Sequence, residues 1–373
     1  MKVAVNLLWM VPGGVGGSEE YVTRQLSALV DQHLDQLTLF VLPGFADTHP
    51  DLALRCRVIA APISGSRREL RVAAELGWLN AQLRRGRFDL VHHAGGTVPL
   101  GSPGPTVLTI HDIQYLVYPD TFSIKKLAYL RRAVPAAVKR AAIIATPSTF
   151  VADTIAQAFH LPADRLVVVP NALPGGLVNR TPSEALRATY DLPGPIVVYP
   201  AITYRHKNHA TLLAAMAPLL QADSTLRLVL LGGVGPCEGE LQAAAATLGI
   251  TSSIVRPGRI LAADRDGLYA MASVMAFPSR YEGFGIPVLE AMAAGCPVVA
   301  SNVTALPEAV GDAGILVDPD DIAAWTHAVR QVMDDPTVCV DLRTRGYLRA
   351  AAFTAEATAA ALRLAYTKAG ENR

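Results

Sequence analysis

The sequence predicts an α/β protein of two domains, each a parallel β-sheet covered by helices on both faces. The chain has 373 residues, more than the roughly 250–300 at which one hydrophobic core stops growing. Hydrophobic residues make up 51% of the chain and charged residues 17%, a balance that suits strands buried on both faces. Short apolar runs also alternate with Ala-, Leu- and Arg-rich segments along the whole length, which is the order typical of parallel sheets.

The predicted strands are short runs of β-branched and apolar residues. They are Val3–Leu8, Leu37–Leu42, Asp89–His92, Thr106–Ile110, Ala142–Thr146, Ile196–Tyr199, Leu226–Leu231, Ser273–Phe277, Pro297–Ala300 and Gly314–Val317. The helical segments between them include Glu19–Val30, Glu69–Leu83, Lys125–Lys139 and Ala210–Leu220. The first apolar run is followed directly by Pro12 without a small-residue cleavage site, so we interpret it as a strand and not as a signal peptide.

The segment Asn171–Pro195 marks the predicted domain boundary, because it is rich in Pro, Gly and Asn and has no strand pattern. We predict a first Rossmann-like domain over residues 1–178 and a second over residues 179–355. A C-terminal helix over residues 356–373 is expected to pack back toward the first domain. Ligands of open α/β sheets bind outside the carboxyl ends of the strands, so we expect the two sheets to face a central cleft.

Charge and cysteine content exclude some classes of protein. A formal net charge of +1 argues against a nucleic-acid-binding protein, which carries a clear basic excess. The four cysteines are scattered and form no C-x-x-C pair, which favours a reducing, cytoplasmic location over a disulfide framework or a zinc site. No apolar run approaches the roughly 18–20 residues of a transmembrane helix.

Two segments of the first half are strongly basic. Their Lys and Arg residues are Arg67, Arg68, Arg71, Arg84, Arg85 and Arg87 in one, and Lys125, Lys126, Arg131, Arg132, Lys139 and Arg140 in the other. On amphipathic helices such faces can hold an anionic membrane surface, which would place the protein peripherally at the inner face of the membrane. A solvated helix face is the other interpretation.

The strongest chemical signal is the stretch PSRYEGFGIPVLEAMAAGCP, which follows a predicted strand. Pro287 suits the first position of a helix and Gly295 its end. The turn Gly283–Gly285 therefore leads into a helix N-terminus, where unpaired N–H groups and the helix dipole favour an anion such as a diphosphate. Glu282 and Glu290 flank this turn, and carboxylates accept paired hydrogen bonds from the vicinal hydroxyls of a sugar.

The spacing of Glu282 and Glu290 within EGFGIPVLEAMAAGCPVVAS resembles the GT-B-fold retaining glycosyltransferases of family 4, also described as glycosyltransferase group 1. The segments DGLYAMASVMAFPS and ALPEAVGDAGILVDPDD are also similar to that family, so the continuous resemblance spans residues 253–321. The pattern is most similar to the mannosyltransferase-like members. The resemblance implies a GT-B fold, with the acceptor on the side of the first domain and the nucleotide sugar in the second.

The resemblance also implies roles for individual residues. Glu282 would contact the transferred sugar, and Glu290 would hold the ribose of the nucleotide. The backbone of Gly283, Phe284, Gly285 and Ile286 would lie beside the sugar and the diphosphate. The reaction implied is the metal-independent transfer of a hexose, with mannose from GDP-mannose favoured, to a hydroxyl of a glycan, a lipid-linked glycan or a small molecule.

A second signal is TYRHKNHATLL, which lies between a predicted strand and a predicted helix. A cation at the end of a strand can neutralise the charge that develops on a departing nucleoside diphosphate. Lys207 matches the phosphate-binding lysine of the resembled family. Many members carry an arginine five or six residues earlier, where this chain has Ala201 and Ile202, and Arg205 is our candidate to replace it.

Two further candidates lie in the first half. The glycine-rich loop Gly13–Gly17 is not a dinucleotide fingerprint, because the third glycine would fall at Glu19 and the following strand has no terminal acid. In the resembled family this loop lies at the donor phosphate and the acceptor, which makes Gly16 a candidate contact. His111 resembles the family's histidine beside the donor sugar, and we predict it to be catalytic together with Lys207 and Glu282.

No metal or other cofactor is expected. The two Asp-x-Asp strings are Asp264–Asp266, which we interpret as a helix start with Asp264 as N-cap, and Asp318–Asp320, which we place in a loop. Two alternative functions remain open from the sequence. One is an epimerase-like enzyme that binds a nucleotide sugar and needs no acceptor, and the other is an inactive homologue that serves as a scaffold.

Overall fold

A computed structural model describes residues 1–14, 16–32, 36–173 and 180–371. The chain divides into two compact units. The N-terminal unit consists of Met1–Ala172 and Phe353–Arg373, and the C-terminal unit of Leu173–Ala352. The boundary predicted between residues 178 and 179 lies outside the described residues.

The N-terminal unit contains a parallel sheet of seven strands in the order β3-β2-β1-β4-β5-β6-β7. The strands are β1 (Lys2–Asn6), β2 (Gln36–Val41), β3 (Arg57–Ala60), β4 (Leu90–His93), β5 (Thr106–Thr109), β6 (Ile143–Thr146) and β7 (Leu166–Val168). The central strand β1 is flanked by β2 and β4, and Val3, Ala4 and Val5 are fully buried in it. This burial explains why these strands are nearly continuous apolar runs.

The helices of the N-terminal unit complete its α/β architecture. They are α1 (Gly17–Asp31), α2 (Phe45–Thr48), α3 (Pro50–Arg55), α4 (Arg68–Ala74), α5 (Asn80–Gly86), α6 (Gln114–Val117), α7 (Ile124–Arg140) and α8 (Thr149–Phe159). A five-residue π-helix, Glu75–Leu79, joins α4 to α5. The predicted helix Glu69–Leu83 is therefore helical throughout but contains this irregular turn.

The C-terminal unit contains a parallel sheet of six strands in the order β10-β9-β8-β11-β12-β13. The strands are β8 (Ile196–Pro200), β9 (Arg227–Leu231), β10 (Ile254–Gly258), β11 (Val274–Phe277), β12 (Val298–Ser301) and β13 (Ile315–Val317). The helices are α9 (Ser183–Tyr190), α10 (His209–Ala222), α11 (Glu238–Thr247), α12 (Ala262–Met271), α13 (Ile286–Ala293), α14 (Leu306–Val310), α15 (Ile322–Asp334) and α16 (Pro336–Ala351).

Three strands of the structure are not among the runs that we took from the sequence. They are β3, β7 and β10, and each forms an edge of its sheet. Edge strands are covered less than central strands, so they need not be wholly apolar. Strand β3 begins with Arg57, and every residue of β10, including Arg256, is only partly buried. The sequence therefore lacks the continuous apolar signal there.

The C-terminal helix α17 (Ala355–Glu371) packs within the N-terminal unit. Its buried face contributes Leu362, Ala365, Tyr366 and Ala369 to the hydrophobic core around β1. The hydroxyl of Tyr366 lies 2.9 Å from Nδ1 of the buried His92. The helix thus both covers apolar surface and satisfies a polar group inside the unit.

None of the helices in the described ranges is long and apolar enough to cross a membrane.

Candidate active site

The carboxyl ends of β8 and β11 bring two predicted site residues together. These strands are direct neighbours in the C-terminal sheet. A helical turn, Arg205–Lys207, follows β8, and the loop before α13 follows β11. The backbone N–H of Arg280 donates to the carbonyl of His206 at 2.7 Å, which ties the loop to the turn.

Lys207 and Glu282 form an ion pair as a result. The Nζ–Oε1 distance is 2.6 Å, and the two side chains are 20% and 13% exposed. At this depth a charge without a partner is costly, so each residue holds the other in place. The hydroxyl of the buried Tyr199 donates to the carbonyl of Lys207 at 2.6 Å and fixes the backbone below the lysine.

Asn208 explains how the chain turns from Lys207 into α10. Its φ is +58°, in the left-handed region that Asn tolerates better than most residues. Its side-chain Nδ2 donates to the carbonyl of Pro319 at 2.7 Å, and its Oδ1 accepts from the hydroxyl of Thr211 at 2.9 Å. Lys207 is therefore followed by a residue whose backbone and side chain fix the turn into α10.

Thr304 supports Glu282 from the loop after β12, and sequence reasoning did not identify it. The backbone N–H of Glu282 donates to Thr304 Oγ1 at 3.2 Å. Thr304 has a φ of +59°, which is rare for a β-branched residue and costs about 1–3 kcal/mol. Strain of this kind accumulates at functional sites, but neither a glycine nor a motif marks the position in the sequence.

The N-terminus of α13 lies one residue before the predicted position: the helix begins at Ile286, so Pro287 is its second residue and not its first. Gly285 is its N-cap with a φ of +92°, Pro287 lies in its first turn, and no side chain caps its N–H groups. A Cβ at position 285 would lie 2.8 Å from Leu306 Cδ2, so only glycine fits. Because Glu282 lies three residues before Gly285, the ion pair and this electropositive helix end belong to one site.

Glu290 lies on α13 and is only 6% exposed. Its Oε2 is 3.8 Å from Nη1 of Arg265 on α12. Arg265, which the sequence interpretation did not single out, also pairs with Asp266 at 2.9 Å. The carboxylate of Glu290 is thus held at the site by a cation from the neighbouring helix.

The acids of the two Asp-x-Asp strings have protein partners. Asp264 accepts hydrogen bonds from Thr181 and from the hydroxyl of Tyr190. Asp264 is not an N-cap, which corrects our expectation: α12 begins at Ala262 with Leu261 as its N-cap. Asp320 pairs with Arg280. Among the described residues, no group of three or more His, Cys, Asp or Glu side chains is arranged to hold a metal ion.

Arg205 is placed differently from Lys207. Its side chain is 76% exposed, and the acid that it approaches is Glu240, at 4.0 Å. The structure therefore does not include Arg205 in the Lys207–Glu282 ion pair. Its role toward a donor phosphate stays a prediction.

His111 follows β5 at the carboxyl edge of the N-terminal sheet. Its Nε2 lies 3.1 Å from the carbonyl oxygen of Ala94, so Nε2 carries the hydrogen and Nδ1 presents a lone pair. The ring is held by Trp9 and Tyr21, with centroids 5.7 and 5.2 Å away. Burial lowers the pKa of His111 to about 4, so it is neutral at physiological pH.

Trp9 is a further polar group in the surroundings of His111 that the sequence did not reveal. Its Nε1 is buried and has no hydrogen-bond partner among the described residues. A buried donor of this kind normally finds a partner, in the protein or in a bound molecule. Trp9 thus places an unsatisfied N–H donor in the aromatic surroundings of His111.

Gly16 is the N-cap of α1, with a φ of +80° and a ψ of −134° that only glycine adopts readily. The loop is held from behind by Glu19, whose buried carboxylate accepts from the backbone N–H of Gly13 at 2.7 Å and lies 2.8 Å from His49 Nε2. Apart from its chain neighbours, no described residue has an atom within 4 Å of where a Gly16 Cβ would be, so there is space beside this glycine.

Comparisons with known proteins agree with these features. Residues 194–335 match the family model described as glycosyl transferases group 1, and residues 15–174 match the model described as glycosyltransferase family 4. The chain is 33% identical to the O-antigen chain mannosyltransferase B of Escherichia coli over 255 residues, which is 67% of each chain. The chain therefore belongs to glycosyltransferase family 4.

Solved structures show the same fold. Sucrose-phosphate synthase from Thermosynechococcus elongatus superimposes with a TM-score of 0.77 at 23% identity, covering 98% of both chains. Anabaena Alr3699/HepE in complex with UDP-glucose gives a TM-score of 0.77 at 20% identity, also covering 98% of both chains. The two Rossmann-like units thus form a GT-B fold, and the protein is a glycosyltransferase.

The buried histidines predict how stability depends on pH. Burial lowers the pKa of His92, His93 and His206 to about 3, and that of His111 and His209 to about 4. Unfolded histidine titrates near 6.5. Below that pH the unfolded state binds more protons, so the stabilising effect of neutral burial is complete above about pH 6.5 and is lost as the pH falls. We expect a lower thermal midpoint at pH 5 than at pH 7.

A matched pair of variants separates this effect from the carboxylates. His209→Gln should reduce the slope of unfolding free energy against pH, between pH 6.5 and 4.5, by about 1 kcal/mol per pH unit. The exposed His327, replaced by Gln, should leave the slope unchanged. Equal slopes for His209→Gln and the unmodified chain in urea titrations would contradict the assignment.

Proposed function

We propose that the chain is a retaining hexosyltransferase that takes its sugar from a nucleotide diphosphate donor without a divalent metal. The observation that carries the proposal is the ion pair between Lys207 and Glu282. Glu282 lies three residues before Gly285, the N-cap of α13, where no side chain caps the helix. This places a cation beside the N-terminus of a helix, whose dipole favours an anion such as a diphosphate. The HepE neighbour, whose complex contains UDP-glucose, supports a donor of this class.

The proposed step breaks the bond between the anomeric carbon and the diphosphate oxygen, and forms one to the acceptor oxygen on the same face. Lys207 and the N–H groups near Gly285 stabilise the charge that develops on the leaving diphosphate. A phosphate oxygen of that leaving group takes the acceptor proton. Glu282 hydrogen-bonds the transferred sugar and Glu290 the ribose. Because Lys207 and the helix terminus supply the positive charge, the proposal needs no metal.

His111 contributes the lone pair of Nδ1, which accepts a hydrogen bond from a substrate hydroxyl. Its lowered pKa keeps that lone pair available throughout the neutral range. We favour GDP-mannose as donor, because two relatives in the comparison are O-antigen mannosyltransferases. We also propose a cytoplasmic location, where nucleotide sugars meet the reducing conditions that the four free cysteines suit.

A thermal-shift screen of UDP-, GDP-, ADP- and dTDP-sugars, with and without EDTA, tests the donor site. Sugars of one nucleotide class, GDP by our proposal, should raise the midpoint of thermal unfolding. A ligand at about 100 times its Kd stabilises the folded state by about 2.7 kcal/mol. The shift should survive EDTA and be lost in Lys207→Ala and Glu290→Ala. The ligand-induced shift is the measurement, since Lys207→Ala also leaves Glu282 without its partner.

Exposed residues of the same unit provide matched controls. Arg330→Ala removes a cation and Glu184→Ala an acid, and both should keep the full ligand-induced shift. No response to any nucleotide sugar, a response to NAD(P) alone, or a full response in Lys207→Ala would contradict the proposed site.

The stereochemical outcome is a separate prediction. With the responding α-linked donor and an acceptor on which turnover is seen, the first-formed product should carry the α-linkage, as read from the one-bond coupling between the anomeric carbon and its hydrogen in the NMR spectrum. A β-linked product would show inversion and would contradict the same-face mechanism.

A further inference from the structure

A groove in the N-terminal unit lies outside the residues assigned to the proposed reaction. It has a volume of about 460 Å³, within the roughly 300–1,000 Å³ of pockets that bind small molecules. Its walls come from the α4–π-helix segment, from the loop after β4 and from α7. Apolar side chains predominate along them, among them Val72, Leu76, Val98 and Ala133.

The one acid on the wall of the groove is Glu75. It is 7% exposed, lies in the π-helix, and accepts a hydrogen bond from Asn6 Nδ2 at 2.8 Å. Burial raises the pKa of Glu75, which favours its uncharged form. Single π-helical turns inside helices are frequent at functional sites. The interior of the groove is thus apolar. Its buried acid favours the uncharged form, which does not repel an anion.

The rim of the groove is basic. Arg132 and Arg140 line it directly, and the guanidinium of Arg68 lies 4.4 Å from the ring centroid of Tyr129, which also lines it. Within the described residues none of these three arginines has an ion-pair partner within 4.0 Å. Helix α7 itself carries six Lys and Arg residues and no acid.

One loop links the surroundings of His111 to the groove. Ala94, whose carbonyl accepts from His111 Nε2, starts the loop that follows β4. The same loop continues to Thr97, Val98, Pro99 and Leu100, all of which line the groove. The groove and His111 therefore belong to the same unit and share a loop.

We propose that this groove binds the hydrocarbon chain of a lipid-linked acceptor, with the phosphate of that lipid held by the basic rim. A concave apolar channel with unpaired cations at its edge is complementary to one amphiphile of this kind: a chain that leaves water and an anionic group that stays at the mouth. That the bound lipid is the acceptor rests on the proposed glycosyl transfer. That the groove binds such a lipid does not depend on it.

Farnesyl diphosphate, used below its micelle concentration, is a suitable probe for calorimetric titration. It should bind at least about tenfold more tightly than pyrophosphate, which has only the head, and than farnesol, which has only the chain. Ala133→Trp fills the groove and should weaken binding by at least about tenfold. Arg132→Gln should weaken the binding of farnesyl diphosphate but leave the binding of farnesol unchanged.

Matched variants control for the added bulk and the lost charge. Ala357→Trp places the same side chain on an exposed face of α17, and Arg330→Gln removes an exposed cation from the other unit; both should bind as the unmodified chain does. Ala136→Trp, at a more exposed position of the groove, replaces Ala133→Trp if that variant unfolds, and it should weaken binding in the same way.

Several results would overturn the inference. These are equal affinity for farnesyl diphosphate and pyrophosphate, full binding in both tryptophan variants, or binding only to phosphatidylglycerol vesicles, which would indicate a membrane-docking face. The GDP-mannose thermal shift is measured on the same preparations. Lost lipid binding with an intact donor shift contradicts this inference alone, whereas a lost donor shift with intact lipid binding contradicts the proposed function alone.

Discussion

The ion pair between Lys207 and Glu282 is the interaction on which the proposed donor site depends. Parallel strands end at the same edge of a sheet, so the turns after β8 and β11 meet there, and the pair joins them at 2.6 Å. Each charge is too shielded from water to stand alone. Tyr199 fixes the lysine backbone and a strained Thr304 fixes that of the glutamate, so the protein maintains a preformed cation beside an open helix terminus.

Preformed charge is also what the proposed chemistry requires. Leaving-group departure creates negative charge on a diphosphate, and dipoles that are already oriented stabilise it without reorganisation. Glu282 partners Lys207, so in the proposed mechanism a diphosphate would compete for that lysine and free the glutamate to contact the sugar. The groove in the N-terminal unit has the opposite character, since its apolar walls can bind a chain while its unpaired cations remain at the rim.

Much of this could be predicted from the sequence, for physical reasons. Central strands such as β1 and β8 are buried on both faces, so their apolar runs are visible, whereas the edge strands β3 and β10 contain arginines and are not. Glu282, Gly285 and Glu290 stand in one motif with fixed spacing, and Lys207 stands in a second motif. Thr304, Arg265 and Trp9 act through contacts made only in the folded chain: a left-handed backbone, a neighbouring helix and an unpaired indole N–H. Nothing in their local sequence marks them.

A crystal structure of the chain with GDP tests the account most directly. It should place the diphosphate at the backbone N–H groups of Gly283–Ile286, with Lys207 Nζ within hydrogen-bond distance of a phosphate oxygen and the ribose on Glu290. It should also show the Lys207–Glu282 contact lengthened from 2.6 Å. A diphosphate bound away from α13, or one that leaves Lys207 paired with Glu282 and out of reach, would contradict the account.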